Sequence, residues 1–449
     1  MQRLFGTDGV RGRANQPPMT VETALAIGRA AGVVFGRRGH SRVVIGKDTR
    51  LSGYMFENAL IAGLCSMGVD TYMVGPLPTP GVAYITRAYR ADAGIVISAS
   101  HNRFEDNGIK FFSAEGFKLE ADLEREIERV IELGDYDPHL PCSRQLGRNR
   151  KIADAQGRYI EFVKASFPRH FSLDGMKIAV DCAHGAAYYV APLVFSELGA
   201  EVFSYSVSPN GLNINEECGA LHPKRIAEKV VEKGADVGIS LDGDGDRIIM
   251  SDEKGNILDG DALLAICARH MKRQGTLKGD AIVGTVMTNL GIVASLKAEG
   301  ISVLPTGVGD RNVLYEMRER GLNLGGEQSG HVIFLDYNTT GDALVSAMQV
   351  LLIMKETGQR LSELASFARP YPQTLLNIPV KQKPPLTELT RLSELVGQVE
   401  QKMGSKGRVL IRYSGTEPLC RVMVEGESEG MIQEIAQTLA ACVQAEIGA

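Results

Sequence analysis

One pattern of predicted elements occurs three times along the chain, and it constrains the fold more than any other feature. Each copy has a short β-branched strand, a helix-like stretch, a second strand and a third strand that ends in a polar loop. The copies span residues 42–119, 177–261 and 281–342. Repeats this long indicate three related α/β domains rather than a solenoid. Their sheets should be mixed, mostly parallel and covered by helices.

The three polar loops occupy equivalent places in the copies. Ligands of open α/β sheets gather at the carboxyl ends of the strands, and each loop follows such an end. A short apolar segment after each loop predicts an edge strand that runs the other way. The polar loops are therefore the expected working positions of these domains.

The last part of the chain has a different pattern. Residues 373–380 and 408–426 read as strands, whereas 385–403 and the C-terminal residues read as helices, which predicts a separate α+β domain. A chain of 449 residues is also too long for one core. The predicted domains are residues 1–152, 153–255, 256–367 and 368–449.

Composition excludes several classes of protein. The net charge is −5, so the chain lacks the basic surplus of a nucleic-acid binder. No apolar run approaches the roughly 20 residues that span a bilayer, and the N-terminus lacks the apolar stretch of a signal peptide. Seven scattered cysteines without a CxxC pair favour reduced thiols in the cytoplasm and disfavour a zinc site.

The loop LDGDGDR (241–247) predicts a metal site. Asp242, Asp244 and Asp246 alternate with glycines, and mutual repulsion of these carboxylates would be costly without a cation. Mg²⁺ prefers carboxylate oxygens and often completes its shell with phosphate. An EF-hand calcium loop is the alternative, because Glu253 falls at its twelfth position. Arg247 occupies the position where that loop requires glycine, so we favour phosphate-bridging Mg²⁺.

The loop SASHN (98–102) offers two serines. Ser98 and Ser100 are candidate nucleophiles or phosphate carriers, and His101 and Lys110 are near enough in sequence to assist them. A turn whose side chains cap backbone groups is the alternative. Neither a Walker A motif nor a G-x-S-x-G elbow is present, which disfavours a P-loop NTPase and an α/β hydrolase.

Two further loops suggest ligand contacts. GGEQSGH (325–331) combines acceptors and donors that suit hydroxyl groups, although a glycine-rich turn with a solvated glutamate is the alternative. RYSGTEPLCR (412–421) sets two arginines around a turn, a pattern that suits phosphate oxygens; a plain β-turn is the alternative. The four loops together point to phosphoryl transfer on a sugar-like molecule.

The motifs SASHN, DGDGDR, GEQSGH and RYSGTEP, in this order, resemble those of the α-D-phosphohexomutase superfamily. FGTDGVRG, GGEQSGH and FLDYNTTGDAL are most similar to one of its families, the bacterial phosphoglucosamine mutases. The resemblance implies three α/β domains and a C-terminal domain similar to the TATA-binding-protein fold around a central cleft. It implies interconversion of glucosamine 6-phosphate and glucosamine 1-phosphate, towards UDP-N-acetylglucosamine and the cell wall.

The resemblance also assigns roles to residues. Ser100 would carry a phosphate, with one Mg²⁺ per chain between it and Asp242, Asp244 and Asp246. A hexose 1,6-bisphosphate would be the intermediate and an activator. The implied catalytic residues are Ser100, His101, Lys110, His331, Arg11 and Arg247. The implied substrate contacts are Gly307, Asp310, Arg311, Glu327, Ser329, Arg412, Ser414, Gly415, Thr416 and Arg421.

Some implications concern the state and the partners of the chain. A lysine could act as a base only if burial or positive neighbours lowered its pKa. The implied partners are a phosphosugar, a second copy in a homodimer, and an activating kinase unless Ser100 phosphorylates itself; nucleic acid and membrane are not among them. The competing functions are those of a phosphomannomutase or phosphoglucomutase, or of a catalytically silent phosphosugar-binding sensor.

The sequence departs from the family pattern at two positions. Arg103 stands where proline usually follows SASHN, which would loosen the serine loop or add positive charge beside the phosphate. His184 stands where asparagine is usual, and we interpret it as structural.

Overall fold

The structure is a computed structural model that describes residues 4–6, 8–36, 41–414 and 418–449. The chain divides into two compact units. The first comprises Met1–Met287 with Leu304–Ala365, and the second comprises Thr288–Val303 with Ser366–Ala449. Among the helices of the described residues, none has the length and apolar character that crossing a bilayer requires.

A six-stranded sheet forms the N-terminal part of the first unit. Its strands are β1 (Val10–Arg13), β2 (Arg42–Lys47), β3 (Asp70–Pro76), β4 (Ala93–Ile97), β5 (Asp106–Ser113) and β6 (Asn149–Lys151). Its helices are α1 (Val21–Phe35), α2 (Ser52–Ser66), α3 (Thr79–Ala88) and α4 (Ala121–Leu133). The strand order is β1-β5-β4-β2-β3-β6. An apolar core joins the sheet to α1, α2 and α4, because the β-branched strand residues face the apolar sides of these helices.

A five-stranded sheet follows in the same unit. Its strands are β7 (Lys177–Asp181), β8 (Glu201–Tyr205), β9 (Val237–Leu241), β10 (Ile248–Asp252) and β11 (Ile257–Leu258), in the order β11-β10-β9-β7-β8. Its helices are α5 (Ala155–Ala165), α6 (Val190–Glu197) and α7 (Pro223–Lys233). The strand before the aspartate loop, β9, is buried along its whole length.

The third sheet has four strands in the order β13-β12-β14-β15. They are β12 (Ala281–Thr285), β13 (Ser302–Thr306), β14 (Leu324–Gly326) and β15 (Val332–Phe334). The helices of this region are α8 (Gly260–Arg273), α9 (Leu290–Ala298), α10 (Asp310–Arg320), α11 (Ala343–Thr357) and α12 (Leu361–Ala365). Of these, α9 belongs to the second compact unit.

The second unit contains a three-stranded antiparallel sheet. Its strands are β16 (Gln373–Pro379), β17 (Gly407–Tyr413) and β18 (Leu419–Gly426), in the order β16-β18-β17. The helices α13 (Thr390–Met403) and α14 (Glu429–Ile447) pack on it around one apolar cluster. Three α/β regions and a C-terminal α+β region confirm the predicted fold class, whereas the domain boundaries stay a prediction.

The strand after each polar loop runs antiparallel to the strand before it, as predicted. The expectation that this strand lies at the edge is wrong in two of the three sheets. β1 pairs with β5, and β11 pairs with β10, so each returning strand has a neighbour on both sides. β1 lies far from β5 in the sequence, whereas β11 follows β10 after a short turn, and the sequence of the returning strand itself records neither pairing.

Candidate active site

A cleft of about 600 Å³ opens in the first unit. This volume is in the range of small-molecule sites. It is lined by Phe5, Gly6, Asp8, Arg11, Ser100, Ala121, Asp246, Arg247, Val308, Gly309, Asp310, Arg311, Asn312, Glu327 and His331. The serine, aspartate and sugar-side loops therefore meet at one cavity, although they are far apart in sequence.

Strand register places the first group of site residues. β5 lies between β1 and β4, so Arg11 is opposite Gly108, and Ile97 is opposite Ile109. Lys110 thus stands beside the end of β4, where the serine loop begins. Gly108 is required here, because a Cβ would lie 2.7 Å from the carbonyl oxygen of Ser98.

Ser100 reaches directly into the aspartate loop. Its Oγ donates a hydrogen bond to Asp242 Oδ2 at 2.6 Å and lies 3.3 Å from His101 Nδ1. The backbone of Ser100 has φ 51°, in the left-handed region. Gly243 permits the close approach of the two loops, since a Cβ there would be 2.6 Å from the carbonyl oxygen of Ser100. Ser100 is therefore the serine whose hydroxyl is presented to the cluster of carboxylates.

Ser98 has a different environment. Its hydroxyl donates to Asp48 Oδ2 at 2.6 Å and accepts the N–H of Ser100 at 2.9 Å. It is completely buried. Both the donor and the acceptor capacity of this hydroxyl are thus engaged by the protein, which leaves Ser100 as the better phosphate carrier.

The three aspartates form a buried cluster. One ligand oxygen from each of Asp242, Asp244 and Asp246 lies within 4.8 Å of the others. Burial and the charges of Asp246 and Asp244 raise the pKa of Asp242 well above its ordinary value. One oxygen of Asp244 and one of Asp246 are buried and have no hydrogen-bond partner among the residues that the structure describes. Crowded oxygens with unused acceptor capacity fit a hard divalent cation such as Mg²⁺.

The calcium-loop alternative does not fit this geometry. The aspartate loop is flanked by β9 and β10 rather than by helices. Glu253, which would be the bidentate ligand of an EF-hand, accepts a hydrogen bond from Ser362 Oγ at 2.5 Å and lies outside the carboxylate cluster.

Lys110 is a buried cation between two carboxylates. Its Nζ lies 3.0 Å from Asp244 Oδ2 and 3.2 Å from Asp8 Oδ2. Burial lowers the pKa of Lys110, but the charges of Asp244 and Asp8 outweigh burial and raise it above its ordinary value. The two carboxylate neighbours thus favour the charged form of Lys110, which is the opposite of what a basic lysine requires.

His331 is held at both ring nitrogens. Nδ1 faces Asp246 Oδ2 at 3.5 Å, and the N–H of Gly341 donates to Nε2 at 3.1 Å. Burial lowers the pKa of His331, but Asp246 and Asp310 outweigh it and raise the pKa. The Gly341 hydrogen bond opposes a proton on Nε2, so the geometry holds the proton on Nδ1, towards Asp246. A Cβ at Gly341 would lie 2.5 Å from the ring.

Positive and neutral groups surround the serine hydroxyl. Arg11 and Arg247 line the cleft, and within the described part of the chain the buried Nε atom of each has no hydrogen-bond partner. Burial and the charges of Arg247 and Arg11 lower the pKa of His101 to about 4, so its ring is neutral at pH 7. Two arginines with unused donors beside Ser100 suit phosphate oxygens.

The sugar-side residues are only partly brought together. Glu327 Oε1 accepts the N–H of Gly309 at 2.9 Å, and both line the cleft. Arg311 lines it too, but its guanidinium forms a two-pronged pair with Glu124. Ser329 and Gly307 are exposed and are not among the lining residues.

Asp310 belongs to a chain of alternating charges. It forms an ion pair with the buried Lys118, which also pairs with Asp8. Its Oδ2 lies 3.7 Å from His331 Nε2. Asp310 therefore links the sugar side of the cleft to the N-terminal segment, and its carboxylate is already engaged by protein groups.

The predicted phosphate clamp lies in the second unit. Arg412 on β17 is directly opposite Arg421 on β18, and Lys383 Nζ donates to the carbonyl oxygen of Ser414 at 2.6 Å. Several positive groups thus surround the start of this loop. Two predicted members of the clamp, Gly415 and Thr416, lie outside the described residues.

Sequence reasoning missed several polar and charged residues in and around the cleft. They are Asp8, Asp48, Arg50, Lys118, Glu124 and Asn215. The sequence held a signal for Asp48 and Arg50. They lie in the polar run KDTR (47–50) at the carboxyl end of β2, and ligand-binding residues of α/β sheets gather at such ends.

The two departures from the family pattern each have a defined structural setting. His184 has φ 50° and its Nδ1 accepts the N–H of Ser208 at 3.2 Å, which supports the structural interpretation. The side chain of Arg103 is 64% exposed and pairs with Glu216 at 3.0 Å, so it points away from Ser100.

Comparison with known proteins gives consistent results over the whole chain. Four family models described as phosphoglucomutase/phosphomannomutase match it: α/β/α domains I, II and III at residues 2–137, 157–255 and 259–371, and the C-terminal domain at 375–441. A phosphoglucosamine mutase of Protochlamydia amoebophila is 61% identical over 99% of this chain and 98% of its own length. One of Geobacter sp. is 56% identical over 100% of this chain and 99% of its own length.

Solved structures share the fold. A phosphoglucomutase/phosphomannomutase family protein of Burkholderia thailandensis has a TM-score of 0.81 at 24% identity, over 100% of both chains. An N-acetylphosphoglucosamine mutase of Aspergillus fumigatus, in complex with GlcNAc-6P and magnesium, has a TM-score of 0.66 at 18% identity. It covers 98% of this chain and 95% of that one.

Proposed function

This chain belongs to the phosphoglucosamine mutases of the α-D-phosphohexomutase superfamily, and we propose that it interconverts glucosamine 6-phosphate and glucosamine 1-phosphate through a phosphoserine at Ser100. The product would serve the synthesis of UDP-N-acetylglucosamine for the cell wall. One observation carries the proposal: Ser100 Oγ lies 2.6 Å from Asp242 inside a carboxylate cluster at the cleft.

The proposed reaction has two transfers. In the first, the C1 hydroxyl of glucosamine 6-phosphate attacks the phosphorus on Ser100, the bond between Ser100 Oγ and phosphorus breaks, and glucosamine 1,6-bisphosphate forms. The hydroxyl proton of the sugar ends on Ser100 Oγ, where Asp242 Oδ2 accepts the resulting hydrogen bond. In the second, after the bisphosphate has reoriented, Ser100 Oγ attacks the phosphorus of its 6-phosphate, and the bond between that phosphorus and O6 breaks. The proton of the Ser100 hydroxyl ends on O6, and glucosamine 1-phosphate leaves.

The residues of the chain supply position and charge for both transfers. Phosphoryl transfer passes through a loose transition state whose charge is spread over the oxygens, so electrostatic stabilisation provides most of the acceleration. Lys110 is a buried cation, and Arg11 and Arg247 face the cleft beside Ser100. His331 keeps its Nδ1 proton directed at Asp246 and thereby orients that carboxylate.

The aspartate cluster fits one Mg²⁺, which Asp242, Asp244 and Asp246 would hold. When bound, the ion neutralises charge on the phosphoryl group and on the serine oxygen. The mutase of A. fumigatus that shares this fold is complexed with magnesium and a phosphosugar, which supports this assignment.

The remaining sugar contacts are proposals from the same geometry. Glu327, with Gly309, is the best placed acceptor for sugar hydroxyls, because both line the cleft. Arg412, Ser414 and Arg421 would hold the phosphate that does not react. Ser329 is exposed, so a ligand that enters from solvent can reach its hydroxyl.

Further properties follow as proposals. A hexose 1,6-bisphosphate would restore the phosphate on Ser100 after its loss and would thus act as an activator. All seven cysteines are free thiols, which supports a reducing compartment such as the cytoplasm. A homodimer, and a kinase or self-phosphorylation as the first source of the phosphate, stay predictions.

A direct assay tests the function. Purified protein, Mg²⁺ and a trace of glucose 1,6-bisphosphate should convert glucosamine 6-phosphate into glucosamine 1-phosphate, and Ser100→Ala should abolish the conversion. Fragment-ion mass spectrometry should find the phosphate on Ser100 and not on Ser98. Ser113→Ala, which removes another serine from the same sheet, is the matched control and should retain the rate of the wild type.

Other outcomes of the assay would change the assignment. A much higher kcat/KM with mannose or glucose phosphates would make the chain a phosphomannomutase or phosphoglucomutase. Binding of sugar phosphates without any turnover, in protein that carries the phosphate, would support the silent sensor and contradict the proposal.

A further inference from the structure

The serine loop is wound around one buried guanidinium. Arg50 follows the carboxyl end of β2 and is completely buried. Its Nη2 donates to the carbonyl oxygens of Ser100 and Asn102 at 2.9 and 2.8 Å. Its Nη1 donates to those of Arg103 and Asp106. Four carbonyl groups, three of the serine loop and one at the start of β5, therefore converge on this side chain.

The remaining donor of Arg50 is also engaged. Nε donates to Asp48 Oδ2 at 2.8 Å, while the backbone N–H of Arg50 donates to Asp48 Oδ1 at 2.9 Å. A guanidinium has five N–H donors in one plane, and each of them has its own acceptor here. Lysine has three donors on a flexible stem, so it cannot reproduce this arrangement.

Ser98 connects this network to Ser100. The Ser98 hydroxyl donates to Asp48 and accepts the backbone N–H of Ser100. Asn215 Nδ2 adds a donor from the opposite side, at 2.8 Å from the carbonyl oxygen of Ser100. Both backbone polar groups of Ser100 are thus held by side chains of the surrounding network.

The backbone of Ser100 needs such support. Its φ of 51° lies in a region that is sparsely populated by residues with a Cβ. Conformations of this kind persist only where the surrounding structure holds them. The loop also lacks regular secondary structure between β4 and β5, so side-chain hydrogen bonds must supply that support.

We propose that Arg50, through its hydrogen bonds to the serine loop and to Asp48, is the positioning residue that holds Ser100 in the conformation from which its hydroxyl reaches the aspartate cluster. The inference rests on the proposed role of Ser100 as phosphate carrier. Arg50 is not among the residues that line the cleft, and it acts through the backbone of the loop.

Arg50→Lys tests the proposal, because it keeps the charge and removes the planar fork. A displacement of about 1 Å at a reacting group can cost about 10²-fold in rate. We therefore expect kcat to fall by about 10²-fold, with KM within about threefold of the wild type, because the sugar side of the cleft is untouched. The rate of phosphate transfer from glucose 1,6-bisphosphate to Ser100, followed by intact mass in a single turnover, should fall by the same factor.

The control must separate positioning from general stability. Arg29→Lys changes a half-buried arginine of α1 that stacks over Tyr136, away from the cleft. This variant should keep the wild-type kcat. Tm measurements on both variants show whether folded protein is being compared.

A second-site change provides a readout that a loss of stability would not produce. The N–H of Arg103 has no acceptor among the described residues, and proline would retain the carbonyl group that Arg50 bonds. Proline at this position would fix the backbone φ angle and would thus restrict the loop without the hydrogen bonds of Arg50. Arg50→Lys/Arg103→Pro should regain roughly two- to fivefold in kcat relative to Arg50→Lys.

Each outcome of these experiments either supports or overturns the proposed role of Arg50. Folded Arg50→Lys with kcat and phosphate transfer within threefold of the wild type would overturn the proposal. If Arg50→Lys does not fold, Ser98→Ala decides, because it removes one hydroxyl from the same network: a tenfold fall in kcat at constant KM supports the proposal, and an unchanged kcat overturns it. A wild-type chain that takes up phosphate on Ser100 but does not convert glucosamine phosphates would contradict the proposed function alone.

Discussion

The two sides of the cleft are built differently. On the phosphoryl side, Ser100 and Asp242 expose 1% or less of their surface and are held by hydrogen bonds to other buried groups. On the sugar side, the lining residue Val308 is 51% exposed. The residues that carry the phosphoryl side are buried, whereas part of the sugar side is exposed to solvent.

The difference suits a reaction in which one molecule must be used from both ends. The phosphoryl group needs fixed charges in a water-excluded place, since electrostatic stabilisation is stronger there. The bisphosphate must reorient between the two transfers, so its contacts on the sugar side must break easily. Variants on the phosphoryl side should therefore lower kcat, and variants on the sugar side should mainly raise KM.

The largest effect is expected from Asp244→Asn, which removes a charge from the cluster. It should lower kcat by roughly 10³-fold and raise the Mg²⁺ concentration needed for half-maximal activity. Steady-state assays over a range of Mg²⁺ concentrations measure both effects. Asp154→Asn, at an exposed ion pair with Arg158, is the control. Activity near that of the wild type would refute the ligand assignment.

Lys110 is expected to have the next largest effect. Lys110→Gln should lower kcat by about 10²-fold, because the cation between Asp244 and Asp8 is lost. Lys110→Arg should be about tenfold faster than Lys110→Gln, since arginine keeps the charge. Equal loss of kcat in both variants would instead indicate that Lys110 acts as a base.

Glu327→Gln should have a smaller effect, and this effect should be mainly on KM rather than on kcat. The amide can still accept the N–H of Gly309, so the loop should keep its shape. The loss of a charged acceptor for sugar hydroxyls should reduce kcat/KM by about tenfold, mostly through KM. A fall in kcat at constant KM would place Glu327 on the phosphoryl side of the comparison.

Ser329→Ala should have the smallest effect. An exposed hydroxyl that bonds the sugar contributes about 0.5–1 kcal/mol, so KM should rise by about threefold while kcat is retained. Initial rates over a range of glucosamine 6-phosphate concentrations measure this. A tenfold fall in kcat would show that this exposed loop takes part in the chemistry.

Much of the fold was predictable from local patterns. Strands β2, β4 and β9 are apolar runs that end in polar loops, and the alternation with helices predicts α/β regions. The edge position of β5 and β10 was predicted wrongly, because β1 pairs with β5 from a distant part of the chain and β11 pairs with β10 across a short turn. Pairing between distant segments leaves no mark in the sequence of a single strand.

The candidate site divides in the same way. The acidic loop with Asp242 was predictable, since three carboxylates that alternate with glycines repel one another unless a cation lies between them. The role of Arg50 was not predictable, because a single arginine after a strand usually lies in solvent. Its importance depends on carbonyl groups about 50 positions away that turn towards it.

The amino-acid sequence alone determined the α/β class, the order of the four loops and the kinds of chemistry that their side chains offer, because these depend on residue types and short spacings. Tertiary structure decided which serine faces the aspartates, why Lys110 is a cation and how the serine loop is held. Ser100 and Asp242 are separated by 142 positions, and electrostatics and hydrogen bonding depend on distance in space rather than along the chain.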